Sequence, residues 1–183
     1  MNIEIVQENS SNLTEYASIP IAFRVSEVID PGSLEVRAIE SAYVKNYDEY
    51  PGHSPVDWPS RFDTTRWGFF VALDGDMRIG GAAVVAHDTT IEMLEGREDL
   101  AVLWDLRVAP SHRRGGVATM LLAAAESWAR EHGARELKVE TQNINVAACR
   151  FYERSGFMLG AFNPGAYSQL PDEVQFLWYK RLI

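Results

Sequence analysis

Cysteine is nearly absent. Cys149 stands alone among 183 residues, which excludes an intrachain disulfide and points to a reducing compartment. Long apolar runs are missing as well: nothing approaches the 18 consecutive apolar residues of a membrane-spanning helix. The opening MNIEIVQENS lacks the basic segment and apolar run of a secretory signal. The expectation is a cytoplasmic protein without a membrane partner. Basic charge is scarce, with 17 Lys and Arg against 26 Asp and Glu and a net charge of −9. That balance repels phosphate backbones, which argues against nucleic acid as the main partner. It suits a small cationic substrate, although solubility explains many acidic chains equally well. His53, His87, His112 and His132 are scattered with no metal-ligand spacing, so no metal is expected. Repeats, low-complexity tracts and Gly/Ser linkers are absent too, and the chain reads as one domain, 1–183.

What is present is a regular alternation of patterns. Residues 3–6 alternate weakly, as an edge strand does. Over 33–47 the apolar positions Leu34, Ala38, Ile39, Ala42 and Tyr43 have helical spacing. The stretch YPGHSPVDWPSRFD then packs three prolines and a glycine into an irregular loop, with Tyr47, Tyr50, Trp58 and Trp67 in or beside it. Those aromatics either line a pocket or pin the loop to the core. Two apolar runs around Asp74-Gly75-Asp76 signal a hairpin, and 101–108 reads as a central strand. A helix over 117–128 places Val117, Leu121, Ala124 and Trp128 on one face, with Gly133 as its C-terminal cap. Leu137, Val139 and Thr141 alternate with Lys138 and Glu140 as a strand. A short helix over 145–155 stops at Gly156, and 157–162 and 174–180 finish as strands. The order implies one mixed α/β domain.

The stretch LWDLRVAPSHRRGGVATMLL carries the chemistry. A strand, then Arg113-Arg114-Gly115-Gly116, then a helix from Val117 exposes unpaired N–H groups at the positive end of a helix dipole. Glycines there let a ligand approach the backbone, which makes an anion cradle suited to phosphate. Neither the P-loop nor the G-x-G-x-x-G pattern is matched. Taken alone, the turn reads first as a plain strand-to-helix connection with solvated arginines, ahead of the anion cradle.

Downstream, NVAACRFYERSGF sets Asn145, Ala148 and Tyr152 on one helical face ahead of Gly156-Phe157. Together the two stretches resemble the GCN5-related N-acetyltransferase superfamily. Its acyl-CoA signature, Arg/Gln-x-x-Gly-x-Gly/Ala, is met by Arg113, Gly116 and Ala118. Its second signature is met by Asn145, Ala148, Tyr152 and Gly156-Phe157, and the match covers about 67–183. The run KVETQNINVAACRFYERSGFMLGAFN, with AY and DEVQFLWYK after it, is similar to streptothricin acetyltransferases. The resemblance implies a mostly antiparallel mixed sheet, splayed between its central strands and flanked by helices. In that reading 1–66 supplies substrate-side helices and a loop, and 67–183 is the acetyl-CoA-binding core.

The resemblance also implies roles. Acetyl-CoA lies between the strand ending at Val108 and the strand ending near Thr141, with backbone of Leu106, Arg107 and Val108 along the pantetheine arm. Backbone from Arg113 through Arg114, Gly115, Gly116 and Val117 to Ala118 holds the pyrophosphate. Asn145 and Ala148 lie along the arm, and Tyr152 sits by the thioester sulfur. The acceptor is a small cationic amine, the streptothricin β-lysine amine foremost, and acetylation confers antibiotic resistance. A protein N-terminal or lysine acetyltransferase and a non-catalytic CoA sensor are the alternatives, and the protein is a monomer or homodimer.

The amine must lose a proton, which asks for a base or a water chain. Many relatives carry an acid where this chain has Trp104. Asp105 is next to it, but strict alternation points it to the opposite face unless a β-bulge re-aims it. Asp105 is thus a base or substrate-binding group, or structural, and Glu140 is a second base candidate or a solvated carboxylate. Trp104, Asp105, Tyr167 and Glu173 are the substrate-side candidates. Cys149 reads as a small buried hydrophobe.

Overall fold

The computed structural model describes residues 2–182. In chain order its elements are β1 (Ile3–Glu8), α1 (Leu13–Ala17), β2 (Phe23–Ile29), β3 (Val36–Lys45), β4 (Gly68–Asp74), β5 (Met77–Ala86), β6 (Leu100–Val108), α2 (Val117–Glu131), β7 (Glu136–Gln142), α3 (Val146–Arg154), β8 (Met158–Pro164) and β9 (Val174–Arg181). They group into two compact units. The first holds residues 2–22 and 46–137 with Leu182, and the second holds Phe23–Lys45 and Lys138–Arg181. The chain is a mixed α/β protein whose strand pairs β1–β4, β4–β5, β5–β6, β2–β3 and β8–β9 are all antiparallel. No helix among the described residues is long and apolar enough to cross a membrane.

In the first unit the strands run in the order β1-β4-β5-β6. β5 is buried over eight consecutive positions, so both of its faces are covered and it reads as a continuous apolar run rather than an alternation. α2 lies on one face against β4, β5 and β6. Its buried stripe keeps Val117, Leu121 and Trp128 of the expected face, leaves Ala124 half-buried, and adds Leu122, Ala125, Glu126 and Ala129. The other face carries an aromatic core of Tyr16, Trp58, Trp67 and Phe69 beneath α1. A Cβ at Gly81 would come within 2.5 Å of the Tyr16 ring. Glycine there leaves room for the Tyr16 ring against β5.

The second unit contains β7, β9 and β8, the separate β2–β3 ladder, and α3. Here one expectation is corrected: 33–47 is not a helix but the turn into β3. Asp30-Pro31-Gly32-Ser33 makes that turn, with Asp30 Oδ1 accepting from the Gly32 and Ser33 N–H groups at 3.0 Å each. β-Branched Val36, Ile39 and Val44 favour extended backbone. Residues 39–42 stand opposite Ser26 alone, which breaks the period-2 pattern and imitates helical spacing. Residues 2–66 accordingly carry three strands, one five-residue helix and short 3-10 turns, not a set of helices. The proline-rich loop folds into 3-10 turns over Tyr47–Glu49, Pro55–Ser60 and Thr64–Arg66. Trp58 and Trp67 are buried in the core, so these two aromatics pin the loop.

Candidate active site

The first unit places the glycine turn as a helix start. β6 ends at Val108, a 3-10 turn spans Pro110–His112, and α2 begins behind Arg113 to Gly116. Arg114 and Gly116 both have positive φ, 64° and 85°, which turns the backbone sharply into the helix. No side chain caps α2 and its first turn holds no acid. A Cβ at Gly116 would meet nothing within 4 Å. The backbone N–H groups at this end are therefore open to an anion, and the residues present fit a pyrophosphate. Arg113 does something different from lending charge to a free surface. Its Nε donates to the Val108 carbonyl at 2.9 Å and its Nη2 to the Ala22 carbonyl at 2.6 Å, and burial lowers its pKa. Arg114 is exposed.

β6 carries the bulge. Ala83 faces Asp105 while Val84 faces Leu103, so Trp104 is the extra residue. Trp104 and Asp105 consequently share the aromatic face. The Trp104 ring lies 5.1 Å from Phe62 and 5.2 Å from Trp67. Asp105 enters a buried network instead of facing solvent. Its Oδ2 accepts from the Tyr16 hydroxyl at 2.7 Å and from Arg107 Nε at 2.8 Å, and its Oδ1 accepts from Arg107 Nη2 at 3.1 Å. Arg107 also donates to Asp48 from Nη1 and Nη2, at 2.8 and 3.2 Å, and to the Ile19 carbonyl at 3.2 Å. Burial alone would lower the Arg107 pKa, but the Asp105 and Asp48 carboxylates hold it above the usual arginine range. Burial, then the Asp105 charge, raises Tyr16 well above the usual phenol value. Leu106 and Val108 alternate with this face and are half-buried.

The second unit holds the remaining candidates. Asn145 caps α3, its Oδ1 accepting from the Ala148 N–H at 3.2 Å. Tyr152 is buried on α3, its ring 5.2 Å from Phe151 and 5.3 Å from Phe157. Cys149 is buried too, within 3.3 Å of Thr141 Oγ1, and burial pushes its thiol up to about 11. Glu140 and Tyr167 come together: the phenol donates to Glu140 Oε1 at 2.5 Å. Burial, then the Glu140 charge, raises Tyr167 far above the usual phenol value. Glu173 forms a buried ion pair with Lys45.

Several of these partners escape sequence reasoning. Tyr16 and Asp48 lie 89 and 59 positions from the residues they bind on β6, and no local pattern links them. Gln142 had a signal, since period 2 places it on the Glu140 face of β7. No cluster of three or more metal-ligating side chains occurs among the described residues.

Comparison with known proteins gives the family and the fold. A family model described as "Acetyltransferase (GNAT) family" matches residues 36–157. Streptothricin acetyltransferase A of Bacillus subtilis (strain 168) is 41% identical over 81 residues, 43% of this chain and 47% of that protein. The chain thus spans about half the length of the curated relatives it matches. A candidate streptothricin acetyltransferase from Bacillus anthracis str. Ames, solved with acetyl coenzyme A, superposes with a TM-score of 0.78 at 26% identity over 99% of both chains. A nourseothricin acetyltransferase superposes with a TM-score of 0.79 over all of both chains, and at 21% identity this shows a shared fold.

Proposed function

Because the chain belongs to the acetyltransferase (GNAT) family, we propose that it moves an acetyl group from acetyl-CoA to a primary amine of a small cationic acceptor, streptothricin being the first candidate. The observation that carries this reading is the open start of α2: positive φ at Gly116, no capping side chain, no acid in the first turn and free space where a Cβ would stand. Backbone N–H groups from Arg114 to Ala118 hold the pyrophosphate, with Arg114 adding charge. Arg113 fixes the turn through its two carbonyl contacts. Leu106 and Val108 offer backbone to the pantetheine arm.

Bound acetyl-CoA supplies an activated acetyl thioester. An R–NH3+ acceptor loses one proton before its nitrogen attacks; the C–N bond forms as the C–S bond breaks, the nitrogen loses a second proton and the sulfur takes one up. Tyr152 serves as proton donor to the departing sulfur, and the acceptor nitrogen gives its proton to a carboxylate or to water. Asp105 is poorly placed for that task, because it is buried and ion-paired with the Arg107 guanidinium. It anchors Arg107 instead. Glu140, whose donors are all neutral, is the better acceptor-side carboxylate.

The direct experiment is mass spectrometry of streptothricin, polyamine, aminoglycoside and peptide panels incubated with the protein and acetyl-CoA. Gain of one acetyl group by streptothricin supports the reading. Acetylated peptides beside unmodified streptothricin would point to a protein acetyltransferase.

A further inference from the structure

The loop over 46–66 holds two kinds of aromatic residue. Trp58 and Trp67 are buried in the core of the first unit, whereas Tyr47 and Tyr50 are half-buried and His53 is exposed. These last three rings follow one another along the turn, with centroids 6.2 Å apart from Tyr47 to Tyr50 and 6.0 Å from Tyr50 to His53. The backbone that carries them is fixed from several sides. Asn46 Oδ1 accepts from the Asp48 N–H at 3.2 Å. Arg61 Nη1 donates to the Gly52 carbonyl and Trp58 Nε1 to the His53 carbonyl, each at 3.0 Å. The Asp48 carboxylate takes two donors from Arg107, at 2.8 and 3.2 Å.

A surface turn held this firmly presents its side chains in one arrangement, which lowers the entropy lost when a ligand settles on them. Its location follows from Arg107, which lies on β6 between Leu106 and Val108, the residues that offer backbone to the pantetheine arm. One arginine side chain thus spans from the cofactor strand to the turn. The charge around the rings favours a cation: residues 46–60 contain Asp48, Glu49 and Asp57 and no Lys or Arg. Arg107 itself is balanced by Asp48 and Asp105. The electron-rich face of a phenol attracts ammonium and guanidinium groups, and it packs the apolar flank of a ring as well.

We propose that Tyr47 and Tyr50 form an aromatic wall that selects a second cationic group of the acceptor, away from the nitrogen that is acetylated, and that Asp48 and Arg107 are positioning residues that hold this wall beside β6. This rests on the acetyl-transfer reading above and narrows it. The acceptor carries at least two cationic groups, one that reacts and one that packs on the phenol faces. Small monoamines lack the second group and are poor substrates.

The test is steady-state kinetics of the full chain, with streptothricin and acetyl-CoA varied in turn. Tyr47→Leu and Tyr50→Leu keep bulk and remove the ring. Each should raise the streptothricin KM about 3–30-fold, the range of a cation–π contact from exposed to desolvated, with the acetyl-CoA KM unchanged. Tyr47→Phe and Tyr50→Phe keep a ring face and should stay within about twofold of the parent. Asp48→Asn should raise the same KM, but not once both tyrosines are leucine, a dependence that a purely structural role would not show. Should a leucine variant fail to fold, Tyr47→Gln or Tyr50→Gln takes its place. An unchanged streptothricin KM in both ring-less variants overturns the proposal, and so does an equal loss in the phenylalanine variants or an acetyl-CoA KM that rises alongside. If the parent ignores streptothricin but acetylates another polycationic amine of the panel, the choice of streptothricin fails and the same variants are read on that amine, with the same outcomes. Acetylation confined to monoamines overturns the wall and leaves the transfer reading standing. If no amine is acetylated, both readings fall together.

Discussion

Arg107 uses all five of its N–H groups inside the first unit: two on Asp105, two on Asp48 and one on the Ile19 carbonyl. With the Tyr16 hydroxyl on Asp105, this makes a satisfied polar network within an apolar core, which fixes one arrangement of β6 and α1. Tyr16 gives it a pH signature. Its pKa is raised above the ordinary value of 10.0, so the native phenol stays protonated where the unfolded one ionises. The associated stability is fully present below about pH 10 and is lost as pH rises above it. Urea midpoints of the parent should therefore fall steeply above about pH 10. Tyr16→Phe should be weaker at neutral pH by about 1.5–3 kcal/mol, the range for a hydrogen bond to a charged group, yet fall less steeply in alkali. Identical slopes would remove Tyr16 from this account.

Tyr152 tests the transfer chemistry at the same scale. Tyr152→Phe keeps the buried ring between Phe151 and Phe157 and removes one hydroxyl. If that hydroxyl protonates the leaving sulfur, kcat should fall by about 10²–10⁴, the usual worth of general-acid help, with acetyl-CoA affinity retained. Single-turnover rates within about twofold of the parent would make Tyr152 a core aromatic only.

At the scale of elements, the start of α2 and the bulge of β6 matter most. The backbone at Gly116 is open and left-handed, at φ +85°, so Gly116→Glu brings both backbone strain and a like charge toward the phosphates. Calorimetry should show acetyl-CoA affinity reduced by at least about tenfold, equivalent to 1.4 kcal/mol, while the melting temperature falls by only a few degrees, the cost of one strained left-handed residue. Unchanged affinity would separate the turn from the cofactor. The bulge has a different effect, because it brings two neighbouring side chains to one face. Without it Trp104 could not stack beside Phe62 and Trp67 while Asp105 reaches Tyr16.

For the whole molecule, a net charge of −9 sets the long-range field. A cationic acceptor drawn to that field should show kcat/KM falling as salt rises, because the Debye length shrinks from about 10 Å at 0.1 M to about 3 Å at 1 M. Measured with acetyl-CoA saturating, a flat profile would assign the charge to solubility. The sequence by itself determined the elements whose signal is local: the hairpin at Asp74-Gly75-Asp76, the helix that stops before Gly133, and the glycine turn before Val117. Each depends on neighbours within a few positions, where period, caps and turn residues act. It misled over 33–47, where residues 39–42 bulging opposite Ser26 mimic a helical period that only pairing with β2 resolves. Tertiary structure alone decided the charges. Asp105 binds Arg107 and Tyr16, Glu173 meets Lys45 from 128 positions away, and Glu140 faces amides drawn from β7 and β9 and a loop phenol. A carboxylate's chemistry is set by what stands within about 3 Å of it, and those neighbours are supplied by chain pairing that no local stretch encodes.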